Sequence, residues 1–488
     1  MFRTDILIIG AGVTGCSVAK SLSRYGGADI VVIDRAPDIA EGATKANSGI
    51  VHAGYDAVTG TLKAKFNVLG AAMYPKLCEE LGVPYDQCGA LVIGFTDEDR
   101  ITLKKLLDRG VENGVSGLRI IDKDELLSLE PNLNPDVLCA LLVPTSGIVS
   151  PYEFAFALAD AAAVNGVKFR FNEAVQSVVK TEDGSFSVIT AEEEYRAKVI
   201  VNCAGASSAD IHNQLSEQKL EMIHRRGQYY LLDHAVQSPF SRTIFQCPSV
   251  MGKGVLVSPT VHGNVLIGPS AEDISDPLDT ATTQDGLDFV LDKARLTWPA
   301  VSVRSNITNF SGVRAHLASD DFVIGPVEGC TGAFEAAGIE SPGLSSAPAV
   351  GEYLAEQISS FLSLPQKDEM ITCPPVRKPF RDMTIDEQAE AVKADPAYGN
   401  LICRCEVITE AEIRASIRRP VGATTIDGVK RRTRAGMGRC QGGFCMPRVA
   451  AILAEELDCS LLDITKDGGE SNILLGTVAS FLERGNTL

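Results

Sequence analysis

Four cysteines near the C-terminus carry the clearest chemistry in this 488-residue chain: Cys403 and Cys405, then, after a gap of 34 residues, Cys440 and Cys445. Four thiolates in two close pairs suit a [2Fe-2S] cluster, in which each iron takes two cysteine ligands. A zinc ion held by four thiolates is the rival, although Cys-x-Cys is an unusual zinc spacing. Gly436, Gly438, Gly442 and Gly443 let backbone amides approach bridging sulfides. Met446-Pro447 starts a helix, since proline is tolerated in a first turn.

A second constellation lies at the other end. Gly10-x-Gly12-x-x-Gly15 follows the apolar run Ile6–Ile9 and opens a helix over 14–25; a strand at Ile30–Ile33 then ends in Asp34. The glycines permit a tight turn, close approach of a pyrophosphate and close helix–strand packing, while Asp34 is placed to accept from a ribose hydroxyl. Amides at the helix N-terminus complement phosphate charge. This is a dinucleotide fingerprint, and by itself it does not choose between NAD and FAD. It is the one glycine-rich nucleotide loop of its kind here. A second, nicotinamide-binding domain is therefore not expected, and electrons need another exit.

The elements around these motifs alternate at first. Apolar runs at 90–93 and 197–201 add strands, and residues 225–330 read as short strands with turn signals (228–232, 254–257, 264–267). The expected fold is α/β (α+β): a Rossmann-type nucleotide-binding domain with an interleaved, mainly antiparallel substrate domain, and a small C-terminal cysteine domain. The expected boundaries are 1–362, with the substrate subdomain at roughly 80–150 and 210–330, a proline-marked linker over 363–397, and the cysteine domain over 398–488.

Composition narrows the classes. A net charge of −18 argues against general nucleic-acid binding. No apolar run is long enough to span a bilayer, and the N-terminus reads as a buried strand rather than a signal peptide. Thirteen scattered cysteines fit a reducing compartment, with the nine outside the cluster motif read as buried small side chains. A cytoplasmic location is expected, with any membrane contact peripheral and through a partner. Arg418, Arg419, Lys430, Arg431, Arg432, Arg434 and Arg439 concentrate positive charge in an acidic chain. They are expected to offset cluster charge and dock an acidic redox partner; without interleaved aromatics, nucleic acid is not expected.

Three segments carry a resemblance: Val199-Ile200-Val201-Asn202-Cys203-Ala204-Gly205, Gly338-Ile339-Glu340-Ser341-Pro342-Gly343, and Gly42-Ala43-Thr44-x-x-Asn47-Ser48-Gly49-Ile50-Val51-His52. Over roughly residues 3–360 the chain resembles the D-amino-acid-oxidase superfamily of FAD enzymes, within it the glycerol-3-phosphate oxidases and dehydrogenases and the L-2-hydroxyglutarate oxidases. Residues 398–460 resemble the bacterioferritin-associated-ferredoxin-type [2Fe-2S] domain, which the large subunit of anaerobic glycerol-3-phosphate dehydrogenase also carries after its flavin domain.

The resemblance implies FAD contacts from Gly10, Gly12, Gly15, Asp34, Arg35, Thr44, Asn47, Ser48, Val175, Ala204, Gly205, Gly338, Ile339, Gly343 and Leu344. Alcohol oxidation requires a base for the hydroxyl proton, a step that suits a neutral imidazole, and His52 is the candidate. Arg314 is expected to clamp the substrate anion, with Lys253 as a second cation and Ser48, Ser341 and Ser345 as hydroxyl donors. His212, His224, His234 and His262 are read as surface residues, and His316, two residues from Arg314, as a possible support. The implied substrate is a small anionic 2-hydroxy compound, glycerol 3-phosphate first and L-2-hydroxyglutarate second. Electrons would leave through the cluster to a redox partner subunit or a quinone pathway. An amine or opine dehydrogenase and a non-catalytic electron-transfer subunit are the alternatives.

Overall fold

The computed structural model describes residues 1–248, 254–372 and 378–476. The chain divides into two compact units, Met1–Asp34 with Ile39–Pro375, and Arg35–Asp38 with Val376–Leu488.

The first unit is built on two large sheets and a small three-stranded one. One has eight strands and centres on β1 (Phe2–Ile9), flanked in parallel by β2 (Ile30–Ile33) and β3 (Glu194–Asn202). A further strand, β6 (Ala333–Ala337), runs parallel to the end of β3, Ile200 opposite Ala333 and Asn202 opposite Glu335. Uninterrupted Ile/Leu/Val runs fit strands covered on both faces: Ile6–Ile8, Val31–Ile33 and Val199–Val201 are fully buried. The carboxyl ends of β1, β3 and β6 therefore open on one rim. That is where an open α/β sheet binds its ligand.

Helix α1 (Val13–Leu22) starts at that rim with Gly12 as its uncapped N-terminal residue. It ends three residues short of the expected 25, just before the Gly26-Gly27 pair. Gly10 adopts φ +108°, and a Cβ on Gly15 would lie 1.9 Å from the Gly10 carbonyl oxygen. Gly15→Ala is thus expected to lower stability by about 1–3 kcal/mol or more and to cost flavin occupancy. Thermal unfolding and the flavin-to-protein absorbance ratio of the purified variant check both.

The second sheet has nine strands, is almost entirely antiparallel, and draws on residues 90–143 and 222–317. Its longest pair is β4 (Met222–Leu232) with β5 (Asn306–Leu317), registered so that Arg225 faces Arg314 and Tyr229 faces Phe310. Helix α2 (Leu62–Leu81) and helix α3 (Gly343–Leu362) are the longest described helices of the unit, α3 following the turn after β6. The doubly wound plus antiparallel architecture agrees with the expectation from sequence.

Residues 363–397 differ from a plain linker. Gly26 N–H donates to Pro365 O and Lys367 N–H to Arg24 O, which ties the start of the stretch to the first unit. Residues Ile385–Ala394 form a helix of the second unit, opened by a reciprocal capping box between Thr384 and Glu387. Among the described residues, no helix is long and apolar enough to cross a membrane.

Candidate active site and iron–sulfur module

The glycine loop is fastened from two sides. Asp34 Oδ2 accepts from Ala11 N–H at 2.6 Å, and Thr44 Oγ1 accepts from Val13 N–H at 3.0 Å. The sequence motif reads Asp34 as a ribose acceptor; in the structure its carboxylate holds the loop to β2. The end of β2 is reinforced in turn, because Glu173 N–H donates to Asp34 O two residues before the strand that begins at Val175. Ala204 and Gly205 follow β3, and Gly338 and Ile339 follow β6, so these expected contacts meet Gly10 and Gly12 at one rim. An uncapped helix start, a cradle that Cβ atoms would fill and three converging loops fit a bound dinucleotide. Arg35 is exposed and groups with the second unit.

The loop carrying His52 is held by main-chain bonds. Asn47 folds it on itself, accepting from Gly49 N–H at 2.8 Å and donating to the carbonyls of Ala43 and Thr44. Ser345 Oγ accepts from His52 N–H at 2.7 Å and donates to Ile50 O at 3.4 Å, while Asn67 donates to His52 O. Ser345 is fully buried, so its hydroxyl fastens the His52 segment to α3 instead of reaching outward as a substrate donor. Ser341 is exposed at the turn before α3, and Leu344 O accepts from Tyr74 OH. The His52 ring lies 5.6 Å from that of Phe245. Lys253 lies outside the described residues.

Arg314 sits on β5 with its Nη2 donating to Ser270 O at 2.9 Å. That bond anchors one edge of the guanidinium fork. Tyr229, which no motif marked, comes to the same place: it stacks on Phe310 with 4.8 Å between ring centres, and its hydroxyl lies 3.4 Å from Ser48 Oγ. Burial raises the pKa of its phenol against the opposing pull of Arg314 and of the hydroxyl that Ser48 donates to it. The long β4–β5 register assembles this group, and no local pattern could have revealed it.

Glu340 organises the turn after β6. Its Oε1 accepts from Lys63 Nζ at 2.8 Å and lies 2.7 Å from His316 Nδ1, while Lys63 also reaches Asp320. Burial alone would lower the Lys63 pKa, but Glu340 and Asp320 outweigh it and hold the ammonium above its ordinary value. The ammonium bridges the two carboxylates, which makes this acidic group a charge clamp. Glu340→Gln is expected to destabilise by about 2 kcal/mol, less than the loss from a fully enclosed pair because Asp320 remains. Urea unfolding should show the Glu340→Gln/Lys63→Met double variant recovering part of that loss.

Two sequence expectations need correction here. His212 is buried, its Nδ1 2.9 Å from Glu335, because the helix carrying it packs under β6; His262 pairs with Glu153. Of the nine cysteines outside the cluster motif, Cys459 is exposed, Cys88 and Cys247 are half-buried, and Cys373 lies outside the described residues.

In the second unit the four motif cysteines converge, but not in their sequence pairs. Cys405 and Cys440 have their sulfurs 3.7 Å apart, and the free thiols of Cys403 and Cys445 are hydrogen-bonding neighbours. The Cys403–Cys445 pair is sunk in the unit's apolar core, at 2% and 3% exposure, whereas Cys405 and Cys440 are half-buried. The bond from Cys445, with amides of Gly436, Glu406 and Cys405, pulls the Cys403 thiol below its ordinary pKa. Gly438 has no room for a side chain: a Cβ there would meet Cys405 Cβ at 2.4 Å. A converging thiol set with amides aimed at sulfur fits an iron–sulfur cluster.

The expected basic surface is partly interior, three of its seven residues being buried. Arg431, Arg432 and Arg434 are buried; Arg434 pairs with Glu406 at 2.8 Å, and Arg432 donates to the carbonyls of Val421 and Gly428. Arg418 is bound to Glu456, and burial lowers the pKa of Lys430. These cations brace the unit. Arg439 is exposed and Arg419 is half-buried.

Such a molecule is a dinucleotide-dependent redox enzyme joined to a thiolate-held metal centre. The chain belongs to the FAD dependent oxidoreductase family, whose model matches residues 5–357, and residues 401–455 match the BFD-like [2Fe-2S] binding domain. FAD and a [2Fe-2S] cluster are its cofactors. It is 47% identical to a glycerol 3-phosphate dehydrogenase of Caloramator mitchellensis, over 98% of this chain and 99% of that protein. It is 30% identical to a mitochondrial L-2-hydroxyglutarate dehydrogenase of Arabidopsis thaliana, over 73% of this chain and 83% of that one. The structure of L-alpha-glycerophosphate oxidase from Mycoplasma pneumoniae with FAD bound superposes with a TM-score of 0.73 at 29% identity, covering 78% of this chain and all of that one.

Proposed function

We propose that this protein oxidises glycerol 3-phosphate to dihydroxyacetone phosphate and delivers the two electrons one at a time to a redox partner. The observation that carries this reading is the 47% identity to a glycerol 3-phosphate dehydrogenase, which extends across the cysteine module as well as the flavin unit. Bound FAD supplies a hydride acceptor and the cluster a one-electron relay.

The chain's own residues do the rest. Arg314 meets the substrate anion with the guanidinium edge not spent on Ser270, and Tyr229 and Ser48 present hydroxyls beside it. His52 takes the proton from the reacting hydroxyl. Ser345 and Asn67 hold the backbone of His52 from both sides, which keeps the base in place. Lys253, as the second cation toward the phosphate, completes this reading.

An anaerobic substrate screen tests it. Glycerol 3-phosphate should bleach the flavin absorbance, and L-2-hydroxyglutarate should not; the opposite ordering would move the assignment to the 2-hydroxy acid branch. A secondary amine that bleaches where both alcohols fail would replace it with an amine dehydrogenase.

A further inference from the structure

A guanidinium fork recognises an anion only when it is aimed, and the β4–β5 pair holds the means to aim Arg314. Successive side chains of a strand alternate between the two faces of a sheet, and directly opposed residues share one. The register therefore puts Arg225, Gly227 and Tyr229 on the same face as Arg314, Gly312 and Phe310. At the middle of that face the two glycines oppose each other, between the arginine pair and the aromatic pair. Neither has room for a side chain. A Cβ on Gly312 would lie 2.1 Å from Ala46 O; one on Gly227 would lie 2.8 Å from Pro269 Cβ, 3.2 Å from Ser270 O and 3.3 Å from Arg314 Nη2. The space over Gly227 is thus where the bond from Arg314 to Ser270 runs.

Ser270 is only 4% exposed and is tied to β4 twice: its N–H donates to Gln228 O at 3.2 Å, and its Oγ accepts from Gln228 N–H at 3.0 Å. Arg314 Nε also reaches Arg225 O, at 3.4 Å, so one edge of the guanidinium lies along β4. Two arginines directly opposed would repel each other. Asp273, in register with Arg225, bonds its guanidinium at 2.6 and 3.1 Å. Among the described residues Arg314 has no carboxylate within ion-pair distance, so its charge is the one left for a ligand. We infer that Gly227 and Ser270 are positioning residues for the substrate: together they seat the Arg314 guanidinium so that its other edge meets the anion. A methyl group at 227 has to displace either the guanidinium or the turn that holds it, and either movement loses the same bond.

This seat rests on the reading of Arg314 as the anion clamp of the proposed function, and one experiment tests the two separately. Flavin bleaching of the holoprotein by glycerol 3-phosphate is followed anaerobically in a single turnover. Gly227→Ala should raise the half-saturating concentration by about tenfold or more and leave the rate at saturation within about twofold of wild type. Ser270→Ala adds no atom and removes only the hydroxyl tie, so it should shift half-saturation the same way, by about threefold or more. Both shifts should vanish in an Arg314→Ala background, where the seat has nothing to hold. Shifts that persist in that background would make these residues merely structural and overturn the inference. Should Gly227→Ala not yield folded flavoprotein, the same cycle with Ser270→Ala decides. Unshifted half-saturation in the seat variants, with Arg314→Ala impaired, would overturn the seat and leave the clamp standing. An unimpaired Arg314→Ala would overturn the clamp itself, and the seat with it.

Discussion

Replacing His52 with alanine should slow flavin bleaching by glycerol 3-phosphate by about 10²–10⁴-fold, the usual worth of a positioned general base. Its backbone bonds to Ser345 and Asn67 are available to alanine as well, so the variant keeps these two fastenings of the loop. The alanine variant should therefore keep its flavin and its melting temperature. Added imidazole should restore part of the lost rate. Wild-type rates in the alanine variant would remove His52 from the chemistry and leave it as packing beside Phe245.

The second large effect is expected at Cys445. Its sulfur is enclosed with that of Cys403 in the core of the second unit, so Cys445→Ser removes a ligand and puts a hydroxyl among apolar side chains. The purified variant should lack the [2Fe-2S] EPR signal after reduction and should unfold at lower temperature in the transition of that unit. Substrate should still bleach the flavin, because the loops that form the flavin rim belong to the first unit. Turnover with one-electron protein acceptors should fall at least about 100-fold, each lost factor of ten being about 1.4 kcal/mol of barrier. A variant that keeps both signal and turnover would show that the ligand set was misassigned.

These predictions separate what sequence could reveal from what it could not. Gly10, Gly12, Gly15 and Asp34 were legible because a tight turn, a close helix approach and an acid at a strand end are demands made within one stretch of chain. The four cysteines were legible for a similar reason, although their pairing in space crosses the pairing in sequence. The capping box at Thr384 was also written locally, but the prolines around it drew attention to a linker. Tyr229 depends on an eleven-residue register between strands far apart in the chain, which no local pattern encodes. The arginines of the second unit show a related limit: composition reports a charge, and only packing reports whether an acid or a carbonyl already uses it.

One carboxylate oxygen of Glu340 serves both Lys63 and His316, and this links parts of the chain that lie 277 and 24 residues away. Such an arrangement restricts inheritance. A lineage that loses the acid at 340 keeps a poorly solvated ammonium at 63 only at a cost, so the two positions should drift together, either both ionic or both neutral. The turn they secure can then conserve its shape while its letters change.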